Sequence, residues 1–199
     1  MPFIGVQPAS ALLSSADIQD GQIITAKVAD DAITGAKIEN NPTIAGTLNA
    51  SAGLTTPTGH IIQVLNATLQ TTATITSTSF VTTGLSLAIT PSSTSSKVLI
   101  NFTMPVYKAT GNAHAITTIY RGTVSGTDLG SSSSWGFGQH YEPDSDADSA
   151  GTTTGTFLDS PSTSSSQTYT IGIRTNSGVT VYAMGNQAKA TLTLMEVAP

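Results

Sequence analysis

Hydrophobic and polar residues alternate along much of the chain from residue 59 onward. In "KVLINFTM", Val98, Ile100, Phe102 and Met104 take alternate positions, which places them on one face of a β-strand. Similar short runs, separated by Gly, Ser and Pro turns, predict strands over residues 60–70, 73–81, 84–89, 97–104, 115–120, 156–158, 167–175, 179–184 and 190–197. No helical pattern of useful length interrupts them. We therefore expect an antiparallel β-sandwich, most naturally a jelly roll, although the strand order cannot be predicted from the sequence.

Residues 17–58 follow a different pattern, in which aliphatic side chains recur at five-residue steps. The positions are Ile18, Ile23, Val28, Ile33, Ile38 and, after a gap, Leu48. Five residues turn an α-helix by about 500°, and an odd step changes the face of a strand, so neither geometry gathers these side chains on one face. We predict a slender oligomeric stalk in which sister chains cover them. A single-chain solenoid and a flexible polar linker remain alternatives.

Composition narrows the class of protein. The chain has 199 residues, a net charge of −5 and only seven Lys and Arg residues, which argues against binding to nucleic acid. It contains no cysteine, and its 58 Ser and Thr residues favour an all-β, turn-rich structure. No apolar run reaches the length of a signal peptide or membrane span, so we expect a soluble protein that its own sequence does not export.

Several stretches resemble bacteriophage virion proteins, especially those of marine and cyanobacterial phages. "MPFIGVQPAS", followed by "DGQIITAKVADDAITGAKI", resembles the attachment region and early shaft of tail-fibre-like proteins. "GLSLAITPSSTSSKVLI", "FLDSPSTSSSQTYTI" and "LTLMEVA" look like stretches of their terminal domains. The resemblance covers most of the chain and does not separate a tail fibre from a head fibre or capsid decoration protein.

The resemblance implies a homotrimeric virion appendage that is assembled in the host cytoplasm. Its parts would be a virion anchor over residues 1–16, a repeat-containing stalk over 17–58 and a β-sandwich head over 59–199. The anchor would bind other virion proteins through Phe3, Ile4, Val6 and Pro8. The head would contact a host-surface glycan or protein, or, in the alternative, the protein would brace the capsid shell. A stalk of this length is short for a fibre, which favours the decoration alternative.

The longest gap between predicted strands, residues 131–151, holds the candidate contact residues. Trp135, Phe137, His140 and Tyr141 lie there among Gly and Ser. Flat rings provide a large contact area at a small cost in conformational entropy, so this set is a candidate host contact. The alternative is that Trp135 and Phe137 lie on a strand and fill the core or an interface between chains.

Alternating carboxylates in the same gap suggest a calcium site. Asp144, Asp146 and Asp148 follow the pattern with which calcium loops begin. An EF-hand is excluded, because Ser149 and Gly155 stand where that loop needs Gly and Glu. The alternative is a solvated acidic loop, and we expect no other cofactor.

We expect no enzymatic activity. A glycan-degrading tailspike, the remaining alternative, needs two carboxylates across a groove. Outside residues 142–148 the predicted head offers only Asp128, Asp159 and Glu196, and its histidines, His60, His114 and His140, are far apart in the sequence.

Overall fold

A computed structural model describes residues 57–108, 111–130, 134–143 and 148–199. The predicted anchor residues and the aliphatic positions of the predicted stalk all lie outside the described residues. The account of the fold therefore concerns the C-terminal unit, which begins at Thr55.

The described chain is built almost entirely from β-strands. Its strands are β1 (Ile61–Leu69), β2 (Ala73–Ile75), β3 (Val81–Ile89), β4 (Lys97–Lys108), β5 (Ala113–Arg121), β6 (Thr127–Asp128), β7 (Gly138–Glu142), β8 (Ser149–Asp159), β9 (Gln167–Thr175), β10 (Val181–Ala183) and β11 (Ala190–Val197). A short 3₁₀ turn, Gly185–Gln187, follows β10. Within the described ranges, no helix has the length and apolar character needed to cross a membrane.

The strands form two antiparallel sheets. The first sheet has the order β1-β11-β4-β8, and the short strands β10 and β2 extend it beyond the end of β11. Since β8 pairs along β4 from Val98 to Lys108, β10 and β11 share the other edge of β4. The second sheet has the order β3-β9-β5, and β6 and β7 share the free edge of β5. The prediction of an antiparallel, all-β unit is confirmed.

The longer strands pair in a nested order. Strand β1 pairs with β11, β3 with β9, β4 with β8, and β5 with β7. When β1, β3, β4, β5, β7, β8, β9 and β11 are counted along the chain, the first joins the last, the second the next to last, and so on inward. A long hairpin that has been folded over on itself gives this set of pairings. The sequence could not predict it, because strand alternation does not identify partners.

Both sheets contribute to one hydrophobic core. The alternate residues of β4 that the sequence placed on one face, Val98, Ile100, Phe102 and Met104, are all buried. Leu85 from β3 and Ile171 from β9 belong to the same cluster from the second sheet. Each aliphatic side chain that is removed from water contributes on the order of 1.5–3 kcal/mol. Shared burial between the two sheets therefore holds this unit together.

Two predicted elements differ from the structure. The expected loop at residues 131–151 contains β7 and the first part of β8, so β8 runs over Ser149–Asp159 and not only over 156–158. The expected strand at 73–81 is divided into the short β2 and the start of β3.

The outer face of the first sheet is ordered in rows that cross four strands. The register aligns one row, which we call the apolar row, made of Val64, Met195, Leu99 and Leu158. The next row consists of Asn66, Thr193, Asn101 and Thr156, and the third of Thr68, Thr191, Thr103 and Thr154. Rows of this kind arise because side chains two positions apart on every strand share a face.

The two ends of the C-terminal unit lie side by side. The Gly59 amide donates a hydrogen bond of 3.1 Å to the Ala198 carbonyl, and the Ala198 amide donates one of 2.8 Å to the His60 carbonyl. The chain thus enters and leaves the unit at one point, next to the apolar row.

Candidate functional site

Three rings form an exposed cluster on the outer face of the second sheet. His114 of β5 is the cross-strand partner of Tyr141 on β7, and their rings are stacked, with centroids 4.0 Å apart and planes 9° apart. Trp135 meets the His114 ring edge-on, with centroids 5.1 Å apart. We call Trp135, His114 and Tyr141 the aromatic platform.

The platform exposes a large apolar area. Trp135 and Tyr141 are each 43% exposed, and on the described surface the other exposed large hydrophobic residues all lie on the first sheet. Contiguous exposed apolar groups are candidate contact surfaces, and the platform is the candidate on the second sheet.

The backbone around Trp135 is held in an unusual conformation. Ser134 and Gly136 on either side both have positive φ, 67° and 60° respectively. A Cβ at Gly136 would overlap with the Thr117 carbonyl oxygen, so glycine is required there. The Phe137 amide donates to the same carbonyl at 2.8 Å, which ties the segment to β5. The backbone conformation of this segment therefore holds Trp135 in its exposed position.

Arg174 fixes the same segment from β9. Its Nη2 and Nε atoms donate to the Ser134 carbonyl at 2.6 and 3.0 Å, and its guanidinium carbon lies 5.4 Å from the centre of the Phe80 ring. Two donors of one rigid, planar guanidinium converge on a single carbonyl oxygen, which fixes the direction of the contact as well as its distance. Beside the platform, Arg174 and Phe80 line a shallow open groove together with Thr78, Ser79 and Ser134.

His114 is oriented by polar neighbours. Its Nδ1 lies 2.6 Å from Gln139 Oε1, and its backbone amide donates to Asn176 Oδ1 at 2.8 Å. Gln139 is exposed, so amide groups border the rings at the surface. The platform therefore combines flat apolar faces with hydrogen-bonding groups at its rim, a composition that suits a ring-shaped polar ligand.

The predicted contact residues divide between two places. Trp135 and Tyr141 lie together in the platform, as the sequence grouping requires. Phe137 packs against the core, with its ring centre 5.7 Å from that of Phe157. His140 is half-buried, and its Nε2 lies 2.7 Å from Ser149 Oγ. The platform therefore contains His114, which the sequence did not identify as a contact residue, and it lacks Phe137 and His140, which the sequence did.

The calcium hypothesis stays a prediction. Asp144 and Asp146 lie outside the described residues, and Asp148 is exposed. A hydrogen bond from Tyr107 to Asp148, followed by burial, raises the pKa of the Tyr107 phenol. Among the described side chains, no group of three potential metal ligands occurs.

Three carboxylates among the described residues accept hydrogen bonds from within the unit. Asp159 accepts from Arg121 Nε at 2.8 Å and from the Tyr169 phenol at 2.7 Å. Glu196 accepts from the Ser92 amide at 2.7 Å and from Gln63 Nε2 at 2.6 Å. Asp128 accepts from the Thr118 hydroxyl at 2.6 Å.

Asp159 and Glu196 stand on either side of Val98 in adjacent strands. Their backbones are therefore about 10 Å apart, or two strand spacings. That distance approaches the carboxylate separation of an inverting glycosidase. Both residues are buried among protein partners, however, so neither is free to act on a sugar in a groove.

No protein-family model and no curated protein matches the chain. The functional argument therefore depends on the residues themselves.

Proposed function

We propose that this chain is a non-enzymatic structural component of a bacteriophage virion. It would form a homotrimeric fibre or spike, with the N-terminal residues anchored to the particle and the β head displayed outward to contact the host surface. The resemblance of the N-terminal and head stretches to phage tail-fibre-like proteins supports this proposal. The engagement of Asp128, Asp159 and Glu196 in internal hydrogen bonds supports the non-enzymatic part of it.

The head is best interpreted as a jelly-roll-like β-sandwich. Its nested strand pairing, from β1 with β11 inward to β5 with β7, is what a hairpin rolled into two facing sheets produces. Residues of both sheets meet in one core, as a sandwich requires. Domains of this architecture occur in viral capsids and in lectins, which agrees with a virion part that binds a surface.

The trimer rests on the sequence of the proposed stalk. Aliphatic side chains at five-residue steps, from Ile18 to Ile38, cannot cover one another within a single helix or strand. Packing among three copies would bury them. It would also give kinetic stability to a particle component without disulfides.

The aromatic platform is the observation that carries the contact function. Trp135 is exposed, yet Arg174 and the positive φ angles of Ser134 and Gly136 hold it in place. A preorganised ring loses little entropy on binding, and the apolar face of a sugar stacks on such rings while its hydroxyls meet polar groups at the rim. We therefore assign the platform to a host-surface saccharide.

The binding test uses the full-length chain and the single tryptophan as its reporter. Fluorescently labelled protein is added to a panel of bacterial strains, with and without competing surface polysaccharide from each strain. We expect saturable binding to at least one strain, a shift in Trp135 emission with the matching polysaccharide, and loss of binding to that strain in Trp135→Ala. Tyr182→Ala, which removes an aromatic ring on the first sheet, is the matched control and is expected to bind normally.

Two results would contradict the contact function. One is binding by Trp135→Ala that equals that of the parent chain. The other is competition by surface proteins alone, with no effect of polysaccharide, which would remove the saccharide assignment.

A capsid decoration protein is the second candidate, because the proposed stalk is short. Fully extended, the 40 residues from Asp17 to Thr56 would span on the order of 130 Å, and turns would shorten this. Virions without a decoration protein would lose heat or salt tolerance and keep their adsorption to cells. Virions without a fibre would lose adsorption and keep their heat tolerance.

A further inference from the structure

All large hydrophobic side chains that are exposed on the described surface fall into two groups. Trp135 and Tyr141 belong to the aromatic platform. The others, Ile61, Ile62, Val64 and Leu158, lie on the first sheet, at the end where β1 begins. The second group has no place in the contact function, because the outer faces of the two sheets point in opposite directions.

The apolar row is continuous across the first sheet. Val64 and Leu158, which are 57% and 45% exposed, stand on the two outer strands, and the half-buried Met195 and Leu99 connect them. Four neighbouring strands give the row a width of about 14 Å. Contiguous apolar surface of this kind marks an interface more often than free surface.

The face around the row carries almost no charge. In the three aligned rows, every side chain is apolar, an amide or a hydroxyl. Glu196 and Asp159, which follow Met195 and Leu158, are buried, and the exposed Lys97 pairs with Val197 beside the apolar row. The chain has a net charge of −5, so two copies repel each other elsewhere. An uncharged face lets them approach without that repulsion, and interface cores are depleted of charge in this way.

The position of the row identifies its occupant. The 56 residues before the described unit join it next to Ile61, and these residues carry the five-residue aliphatic pattern. If they associate with sister chains, they bring the β1 ends of the heads together at a high effective concentration. A second copy of this chain is then the partner most available to the apolar row.

We propose that the apolar row is the contact between the heads of sister copies. This inference rests on the homotrimer of the proposed function and places one of its interfaces. In a threefold assembly the contact is heterologous, so one side of the strip on each copy would meet the other side of the strip on the next copy, and the three strips would converge near the axis. The aromatic platform, on the opposite sheet, then faces outward on every copy.

The absence of cysteine from the chain permits a direct test in the full-length protein. Leu158→Cys and Val64→Cys each place one thiol in the row, and Ser86→Cys places one on the exposed outer face of the second sheet. The oligomeric state of the parent is measured by analytical ultracentrifugation. Each variant is then treated with a short bifunctional maleimide or with a bulky monofunctional one. Circular dichroism and ultracentrifugation establish that each variant retains the parent fold and assembly.

We expect covalent dimers from Leu158→Cys or Val64→Cys, since each chain carries one thiol, and uncross-linked chains from Ser86→Cys. The row thiols should react with the bulky reagent at least about tenfold more slowly than the control, because a site open in under a tenth of molecules reacts in proportion to that fraction. A trimeric parent whose row thiols react as fast as the control, without cross-links, would overturn the head contact and leave the trimer standing. A monomeric parent would overturn the proposed trimer itself. Protection seen only in whole virions would overturn the inference by assigning the row to another virion protein.

Discussion

Arg121 and Asp159 join the two sheets through a partly buried ion pair. Arg121 ends β5 in the second sheet, Asp159 ends β8 in the first, and Arg121 Nε donates to Asp159 Oδ2 at 2.8 Å. The Asp159 side chain is only 4% exposed. The Tyr169 phenol, from β9, donates to the same carboxylate. Three strands from both sheets therefore depend on one acidic group.

Asp159→Asn should destabilise the head by about 3 kcal/mol, because it removes the buried charge that accepts hydrogen bonds from both Arg121 and Tyr169. Denaturant unfolding followed by circular dichroism measures the change. Tyr169→Phe removes only the phenol hydrogen bond and should cost about 1.5 kcal/mol. Equal costs for the two variants would contradict the central role of the ion pair.

Alkaline conditions should weaken the head through Tyr169. Burial, followed by the hydrogen bond to Asp159, raises the pKa of the Tyr169 phenol far above its ordinary value. A raised pKa contributes stability that is fully present below the unfolded pKa of about 10 and is lost as pH rises beyond it. The free energy of unfolding should therefore fall more steeply from about pH 10 upward in the parent than in Tyr169→Phe. Parallel pH profiles would refute this assignment.

Low pH should reduce the stability of the head through protonation of Glu196. Burial alone would raise the pKa of this carboxyl, but hydrogen bonds from Ser92 and Gln63 outweigh it and hold the pKa below its usual range. A lowered pKa contributes stability that is present above the unfolded value of about 4.3 and is lost as pH falls through the folded value. Thermal melts below about pH 4.3 should show a loss in the parent that Glu196→Gln lacks. Lys97→Gln, at an exposed position, serves as the control and should retain the parental profile.

Gly136→Ala should disturb the platform and the fold together. The residue has φ of 60°, and an added Cβ would overlap with the Thr117 carbonyl oxygen, so we expect a loss above about 2 kcal/mol and altered Trp135 emission. Gly59→Ala is a matched control, since its φ is 86° and the space around its Cβ is open. That variant should lose only about 1 kcal/mol, the cost of the left-handed conformation. Parental stability and emission in Gly136→Ala would show that Trp135 is not held by this turn.

The proposed stalk has its own test in Ile33→Asp. A charge without a partner at an apolar position between chains should weaken the trimer, and size exclusion with light scattering after mild heating measures the loss. Thr34→Asp changes the neighbouring, non-periodic position and should leave the trimer intact. An unchanged trimer in Ile33→Asp would argue against a stalk stabilised by these side chains.

Sequence patterns predicted the parts of the fold where large apolar residues alternate. Strand β4 is the clearest case, since Val98, Ile100, Phe102 and Met104 are all buried as their spacing indicates. Strand β8 was predicted only at residues 156–158, because its earlier residues show no apolar alternation. Gly151 and Gly155 are small there because the rings of His140 and Phe102 occupy the space that a Cβ would need.

The aromatic platform could be predicted only in part for the same reason. Trp135 and Tyr141 were identifiable as exposed-ring candidates in a long segment. His114 joins them through the pairing of β5 with β7, and the five residues of β7, "GQHYE", carry no alternating apolar pattern. A long-range strand pair of this kind leaves no local signal in the sequence. The rows on the outer face of the first sheet could not be predicted from the sequence either, because they depend on the registers of four strands.

The adjacent hydrogen bonds of Gly59 and His60 with Ala198 have a practical consequence for labelling. A dye or fusion partner attached after Pro199 would emerge beside the point where the chain enters the head, and so beside the apolar row. Such a tag would obstruct contacts of the apolar row, and its signal would respond little to a ligand bound at the aromatic platform. A dye attached to Ser86→Cys would instead lie on the exposed outer face of the opposite sheet, away from the apolar row.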